Sequence, residues 1–139
     1  MTADDGELAQ RLIAEAKTIA VVGVASDPSR PSNDVAKYLI DAGYEVYLVN
    51  PAETEIFGMP VYPRLQDVPA TIDIVDVFRR PQFVAGVVAD AIEAGAKAVW
   101  TQLEIVDEDA AATARAAGLE VVMNRCTKIE HGKMLRATS

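Results

Sequence analysis

Strand and helix signals alternate along nearly the whole chain, and the alternation predicts an α/β domain with a Rossmann-like, doubly wound, five-stranded parallel sheet. Two observations carry the prediction. The strand segments are short, unbroken apolar runs such as Thr18-Ile-Ala-Val-Val22, without the polar alternation of a half-solvated sheet, so both of their faces are buried. The segments between them repeat apolar residues at helical spacing and close on glycine. Right-handed crossovers put helices on both faces, and two βαβ halves meeting beside the first strand give the order 3-2-1-4-5.

Leu8, Leu12 and Ile13 share one face of a first helix, with Asp4 and Asp5 available to cap its start. Thr18–Val22 is the first strand and ends at Gly23. Val35, Ala36, Leu39 and Ile40 mark the second helix, which Gly43 closes, and Glu45–Val49 is the second strand, ended by Asn50 and Pro51. Residues 51–71, with four prolines and one glycine, read as irregular, tied to the core by Ile56, Phe57, Val61, Tyr62, Leu65 and Val68. Ile72–Phe78 is the third strand. Its helix opens on Pro81, runs a stripe of Val84, Val87, Val88, Ala91 and Ile92, and ends at Gly95. Ala98–Trp100 is the fourth strand. Asp107 caps an alanine-rich helix that Gly118 stops, Leu119–Met123 is the fifth strand, and a short tail follows from Arg125.

With 139 residues, half of them apolar and 24% charged, the sequence reads as one globular domain over residues 1–139, its core at about 16–131. No run approaches the roughly 20 apolar residues of a membrane helix, so no membrane association is expected. The start, MTADDGELAQRL, is acidic where a signal peptide is basic and then apolar, and Cys126 is the only cysteine; a cytoplasmic location is the expectation. A net charge of −8 argues against nucleic acid, which is bound by neutralising many phosphates. Small anions are another matter, because the arginines cluster at Arg30, Arg79, Arg80 and Arg125.

Ligands of open α/β sheets bind at the carboxyl ends of the strands, where the strand order reverses. Those ends carry Gly23, Val24, Ala25 and Ser26; Asn50 and Pro51; Phe78, Arg79 and Arg80; Thr101 and Gln102; and Asn124, Arg125 and Cys126. The first loop runs straight into a helix for which Ser32 is the expected N-cap. The unsatisfied amides of the helix's first turn favour an anion, and Arg30 adds a fork suited to phosphate oxygens. The dinucleotide fingerprint G-x-G-x-x-G is absent, and the second strand ends on Asn50 rather than on the acid that holds a nicotinamide ribose; both count against NAD.

Taken together, Gly23-x-Ala-Ser-x-x-x-Arg30-Pro-Ser32, Tyr47-x-Val-Asn-Pro51, Gly58-x-x-Val-Tyr62, Asp73-Ile-Val-x-Val-Phe-Arg79, Gly95-Ala-Lys-x-x-Trp100-x-Gln102 and Arg125-Cys-x-Lys-x-Glu130 resemble the small stand-alone CoA-binding proteins. These are similar to the nucleotide-binding domain of the succinyl-CoA synthetase alpha subunit. The likeness implies coenzyme A, or an acyl-CoA, as ligand. Its phosphates would lie on Gly23, Val24, Ala25, Ser26, Arg30 and Ser32, with the adenosine beside Asn50 and Pro51. Phe78, Arg79 and Arg80 would form the opposite wall, and Gln102 would lie on the pantetheine side. One departure is Glu104, in a stretch where such proteins often have glycine.

Other chemistry-bearing residues have plainer readings. His131 reads as a solvated tail residue, and no typical zinc set can be assembled from one histidine and one cysteine. Cys126 reads as a small buried hydrophobe, with a sharper alternative in which Arg125 and Lys128 favour a thiolate that forms a mixed disulfide with the CoA thiol. Asp76, in a buried strand, should pair with an arginine or a loop amide. Trp100 reads as core, with stacking on a base as the alternative.

These expectations amount to a binding protein without catalysis of its own, holding a small nucleotide ligand. Its rivals are a detached subunit of an acyl-CoA synthetase-type enzyme acting with a partner, a nicotinamide-nucleotide redox sensor, and a purely structural domain. Whether a protein partner or a second copy joins it is left open by the sequence.

Overall fold

In the computed structural model, which describes residues 5–138, strand β1 (Thr18–Val22) is the centre of the sheet, and all five of its residues are buried. It pairs in parallel with β2 (Glu45–Val49) on one edge and β5 (Ile74–Val77) on the other. Beyond β5 lie β6 (Ala98–Thr101) and β7 (Glu120–Val122), both parallel. Beyond β2 lies β4 (Met59–Tyr62), also parallel, with β3 (Glu55–Ile56) antiparallel at the rim.

The sheet therefore has seven strands in the order β3-β4-β2-β1-β5-β6-β7, not five in the order 3-2-1-4-5. Two corrections explain the difference. The strand expected at residues 72–78 is β5, and it lies against β1 rather than beyond β2. The place beyond β2 is filled from the stretch expected to be irregular. There Phe57 (φ 58°) and Gly58 (φ 72°) form a tight hairpin turn between β3 and β4, and Leu65–Asp67 adds a 3-10 turn. The prolines mask this pairing in the sequence. Pro60 sits in β4 just ahead of the two residues, Val61 and Tyr62, that take β2 as partner.

Helices α1 (Asp5–Glu15), α2 (Pro31–Asp41) and α5 (Thr127–Thr138) cover one face; α3 (Pro81–Ala94) and α4 (Glu108–Ala116) cover the other. The expected stripes face inward: Leu12 and Ile13 of α1, Val35, Ala36 and Leu39 of α2, and Val84, Val87, Val88 and Ala91 of α3. Helix α3 ends on Gly95 in the left-handed conformation, and the Asp107 carboxylate accepts the Ala110 amide to cap α4. Asp5 is the first residue of α1, and Asp4 lies outside the described residues.

A further correction concerns the end of the chain, where α5 replaces the expected tail. Its sequence is too polar to advertise a buried face, and its docking is carried by polar groups. Glu130, only 3% exposed, is paired with Arg125 and Lys133 and accepts from Gln10 of α1. His131 is buried rather than solvated. It meets the Tyr38 hydroxyl through Nδ1 at 2.7 Å and packs edge-on to Tyr38 and Tyr44. Burial holds its pKa below the ordinary histidine value.

Candidate functional site: a cationic crevice at the strand ends

The loop after β1 leaves toward α2 on one face, while the loop after β5 leaves toward α3 on the other. They part around Gly23, which has φ +88°. Its amide donates to the Val49 carbonyl at 2.9 Å, and the Phe78 amide donates to the Val22 carbonyl at 2.8 Å, so three strand ends are pinned side by side. Two hollows open here, sharing Gly23 and Arg79. The larger, about 650 Å³, is lined by Arg30 and Ser32 from the α2 side, Phe78 and Arg80 after β5, Gln102 and Glu104 after β6, and Cys126 before α5. The smaller, about 330 Å³, lies between Pro51, Arg64 and Leu65 on one side and Phe83, Val87 and Asp90 on the other.

Side-chain hydrogen bonds brace the first loop from behind. Ser32 Oγ accepts the Ala25 amide at 3.0 Å, and Asn33 Nδ2 donates to the Ala25 and Ser26 carbonyls at 2.9 and 3.3 Å. Ser32 is therefore not the N-cap. Pro31 takes the first helical position, the cap falls on Arg30, and Arg30 caps with no side-chain bond. The first turn also offers an anion fewer amides than expected. Pro31 has none, and those of Asn33 and Asp34 already bond to the Arg30 carbonyl, which leaves the Ser32 amide as the donor this turn presents.

The cations stand free instead. Among the described residues, Arg30, Arg79 and Arg80 form no ion pair, whereas Arg11, Lys37, Lys97, Arg125, Lys128 and Lys133 all do. Asp27, held below the usual carboxylate range mainly by the Ser29 amide and hydroxyl, acts on Arg30 only through its field. The Arg79 guanidinium lies over the Phe83 ring, 4.5 Å from its centroid, which steadies it between the two hollows. A chain of net charge −8 thus lines this larger hollow with three arginines that form no ion pair against one carboxylate, Glu104.

Residues 17–132 of this crevice-bearing fold match the family model described as CoA binding domain. The chain belongs to the CoA binding domain family. The uncharacterized protein YneT of Bacillus subtilis is 37% identical over 122 residues, 88% of this chain and 90% of that protein. A solved structure of a hypothetical protein from Pyrococcus horikoshii superposes with a TM-score of 0.91 at 38% identity, covering 97% of each chain. The alpha subunit of the ADP-forming acetate–CoA ligase II of Pyrococcus furiosus is 32% identical over 82 residues, which are 58% of this chain and 18% of that one.

On this CoA binding domain the residues expected at the site divide into three groups. Gly23, Arg30, Ser32, Phe78, Arg79, Arg80 and Gln102 line the larger hollow, and Gly23, Pro51 and Arg79 the smaller. Ala25 and Ser26 belong to the braced loop. Val24 and Asn50 stand behind it: the Val24 side chain is wholly in the core, and Asn50 Nδ2 is spent on the Val24 carbonyl at 2.8 Å. Sequence reasoning passes over Asn33, Arg64 and Phe83. For Asn33 a signal exists, since an amide side chain in the first turn after a polar loop can reach back to loop carbonyls. Arg64 and Phe83 reach the crevice only through β4 and α3 packing.

Of three further residues, Trp100 is core as expected, Cys126 is only partly buried, and Asp76 takes partners other than those expected. Trp100 is fully buried and its Nε1 donates to the Arg125 carbonyl at 2.8 Å, so it has no face for a base. Cys126 is half-buried against the core while lining the larger hollow. The cations beside it in sequence are engaged elsewhere, Arg125 with Glu130 and Lys128 with Asp34. Asp76 is fully buried but meets neither an arginine nor a loop amide. Its carboxylate accepts from Gln102 Nε2 and from the Thr127 hydroxyl, partners 26 and 51 residues away.

Burial raises the Asp76 pKa from 3.8 to about 7, against the pull of those two hydrogen bonds. The folded chain therefore binds a proton that the unfolded chain releases between pH 3.8 and about 7. Stability from this residue is greatest at the acid end and is lost as pH rises through that window. Asp76→Asn removes the titration. The stability of wild type relative to Asp76→Asn should fall by a few kcal/mol from about pH 4 to about pH 8, measured by urea unfolding. A difference that stays level across that range means Asp76 titrates at its ordinary value.

Proposed function

We propose that this domain binds coenzyme A or an acyl-CoA and catalyses nothing by itself. The observation that carries the reading is the set of unpaired arginines, Arg30, Arg79 and Arg80, around Gly23 at the point where the sheet order reverses. Three cations without an ion-pair partner suit a ligand rich in phosphate, and family membership supports CoA as that ligand. In this reading the diphosphate lies over the β1–α2 loop between Arg30 and Arg79, and the pantetheine arm runs through the larger hollow toward Gln102 and Cys126. The adenosine takes the smaller hollow beside Pro51. The domain would hold, buffer or present its ligand in the cytoplasm. Among the described residues, no helix is long and apolar enough to cross a membrane.

Isothermal titration with CoA, acetyl-CoA, ADP and NAD at one salt concentration tests the reading. CoA should bind, and Arg30→Ala should weaken it by about 1.5–3 kcal/mol, the worth of a charge-assisted hydrogen bond. Unchanged affinity in that variant removes Arg30 from the site, and NAD binding in place of CoA sinks the assignment.

A second reading is favoured by the ligase subunit, of which this chain spans 18%. A domain of this kind could work as a detached subunit whose partner supplies the nucleotide chemistry. CoA-dependent turnover that appears only when a partner is added distinguishes it from a stand-alone binder.

A further inference from the structure

The floor of the larger hollow holds a closed set of hydrogen bonds with one atom left over. An ionised Asp76 can only accept. Gln102 Nε2 donates to Asp76 Oδ1 and, at 3.1 Å, to Thr127 Oγ1, while the Thr127 hydroxyl donates to Asp76 Oδ2 at 2.9 Å. Both amide hydrogens of Gln102 are used. The amide cannot turn over without setting its own carbonyl oxygen against the carboxylate, so its orientation is fixed by Asp76 rather than by packing. Gln102 Oε1 is the atom left over. Among the described residues no donor reaches it. Nor is it one of the buried side-chain atoms without a partner, which are Glu53 Oε2 and Gln66 Oε1. Gln102 lines the hollow next to Leu103 and Glu104.

We propose that Asp76 is a positioning residue for ligand choice: acting through Gln102, it shows the hollow a fixed hydrogen-bond acceptor that takes an N–H or S–H donor from the arm of a coenzyme A-type ligand. The inference rests on the reading of this crevice as a CoA site and adds a specificity to it. An arm built of amides and ending in a thiol supplies such donors, and ADP has no arm. An arm ending in a carboxylate would set its charge against both Gln102 Oε1 and Glu104.

The test titrates CoA and ADP at about pH 8, where Asp76 is ionised, against wild type and three variants. In Asp76→Asn one carboxylate oxygen becomes an amide nitrogen, the turned-over Gln102 amide is no longer forbidden, and the acceptor in the hollow is no longer fixed. In Gln102→Leu the acceptor is gone. CoA affinity should fall about tenfold in each while ADP affinity stays within about twofold, since a neutral hydrogen bond to the arm is all that changes. Asp76→Asn combined with Gln102→Glu exchanges acid and amide between the same two positions and restores an acceptor to the hollow. CoA affinity should return to within about threefold of wild type.

Rescue by the exchanged pair separates positioning from mere structural support, which would move ADP along with CoA and would not be rescued. Single variants that bind CoA like wild type overturn the positioning role and leave the CoA reading standing; so do single variants whose loss the exchanged pair fails to repair. Wild type that binds neither ligand overturns both. If Asp76→Asn alone does not fold, Gln102→Leu and the exchanged pair carry the comparison.

Discussion

Alanine at position 23 should destabilise the protein by about 3 kcal/mol or more, a large effect for the addition of one methyl group. Gly23 holds φ +88°, where a Cβ is strained, and that Cβ would stand 2.5 Å from the Phe78 carbonyl oxygen and 2.9 Å from Arg79 Cδ. Arg79 could swing aside. The Phe78 carbonyl cannot, because the Phe78 amide is bonded to Val22 and the Gly23 amide to Val49, so any retreat pulls on the junction of three strands. Denaturant unfolding of Gly23→Ala beside Gly118→Ala measures the steric part. Gly118 also has positive φ, but a Cβ there meets nothing within 4 Å, and its substitution should cost only about 1 kcal/mol. Equal costs at the two positions would show that the approach of the Phe78 carbonyl does not constrain the chain. Gly23→Ala should also lose ligand, since the displaced Arg79 serves both hollows.

Trp100→Ala is expected to cost about 4 kcal/mol, within the usual range for emptying a buried aromatic site. Trp100 is 0% exposed in a sheet whose neighbouring strands, β5 and β7, are pinned to it in register, so the cavity cannot collapse. The loss goes beyond packing. Its Nε1 holds the Arg125 carbonyl at 2.8 Å, just ahead of Cys126 and the Thr127 that opens α5. Trp100→Phe keeps most of the volume and should lose about 1–2 kcal/mol, mainly the hydrogen bond and the carbonyl it leaves unpaired. Urea unfolding of the two variants separates the contributions; a Phe variant as unstable as the Ala variant would assign the whole cost to that bond.

The parts of the fold legible in the sequence are those whose cause is local. Helix α3 could be read from end to end, because Pro81 suits its first turn, its valines repeat at helical spacing, and Gly95 supplies the left-handed exit. The Asp107 cap is likewise a contact between residues three apart. The parts that were not legible depend on distant partners. Strand β4 contributes two residues to the parallel sheet, and they are a strand only because β2 leaves an edge for Val61 and Tyr62. Helix α5 has little apolar character, and Glu130 and His131 become buried residues only through Gln10, Tyr38 and the neighbouring cations.

The candidate site divides in the same way. Gly23, Arg30, Arg79, Arg80 and Gln102 were accessible from the sequence because a parallel sheet directs its ligand to the residues that follow its strands, whatever the strand order beyond them. That rule does not say which polar groups face the ligand and which are consumed in holding the loop. Ser32 and Asn50 look like ligand contacts in the sequence, yet their side chains brace the Ala25 amide and the Val24 carbonyl. By itself the sequence determined the parallel α/β class, the ends of α3, the cap of α4 and the position of a basic crevice, since these follow from periodicity, local caps and strand ends. Only the tertiary structure decided the seven-stranded order, the helix that closes the chain, and the direction in which each buried polar group spends its hydrogen bonds. Those outcomes turn on pairs of groups that meet only when residues tens of positions apart are folded together, where the cost of leaving a buried polar group unpaired selects the arrangement.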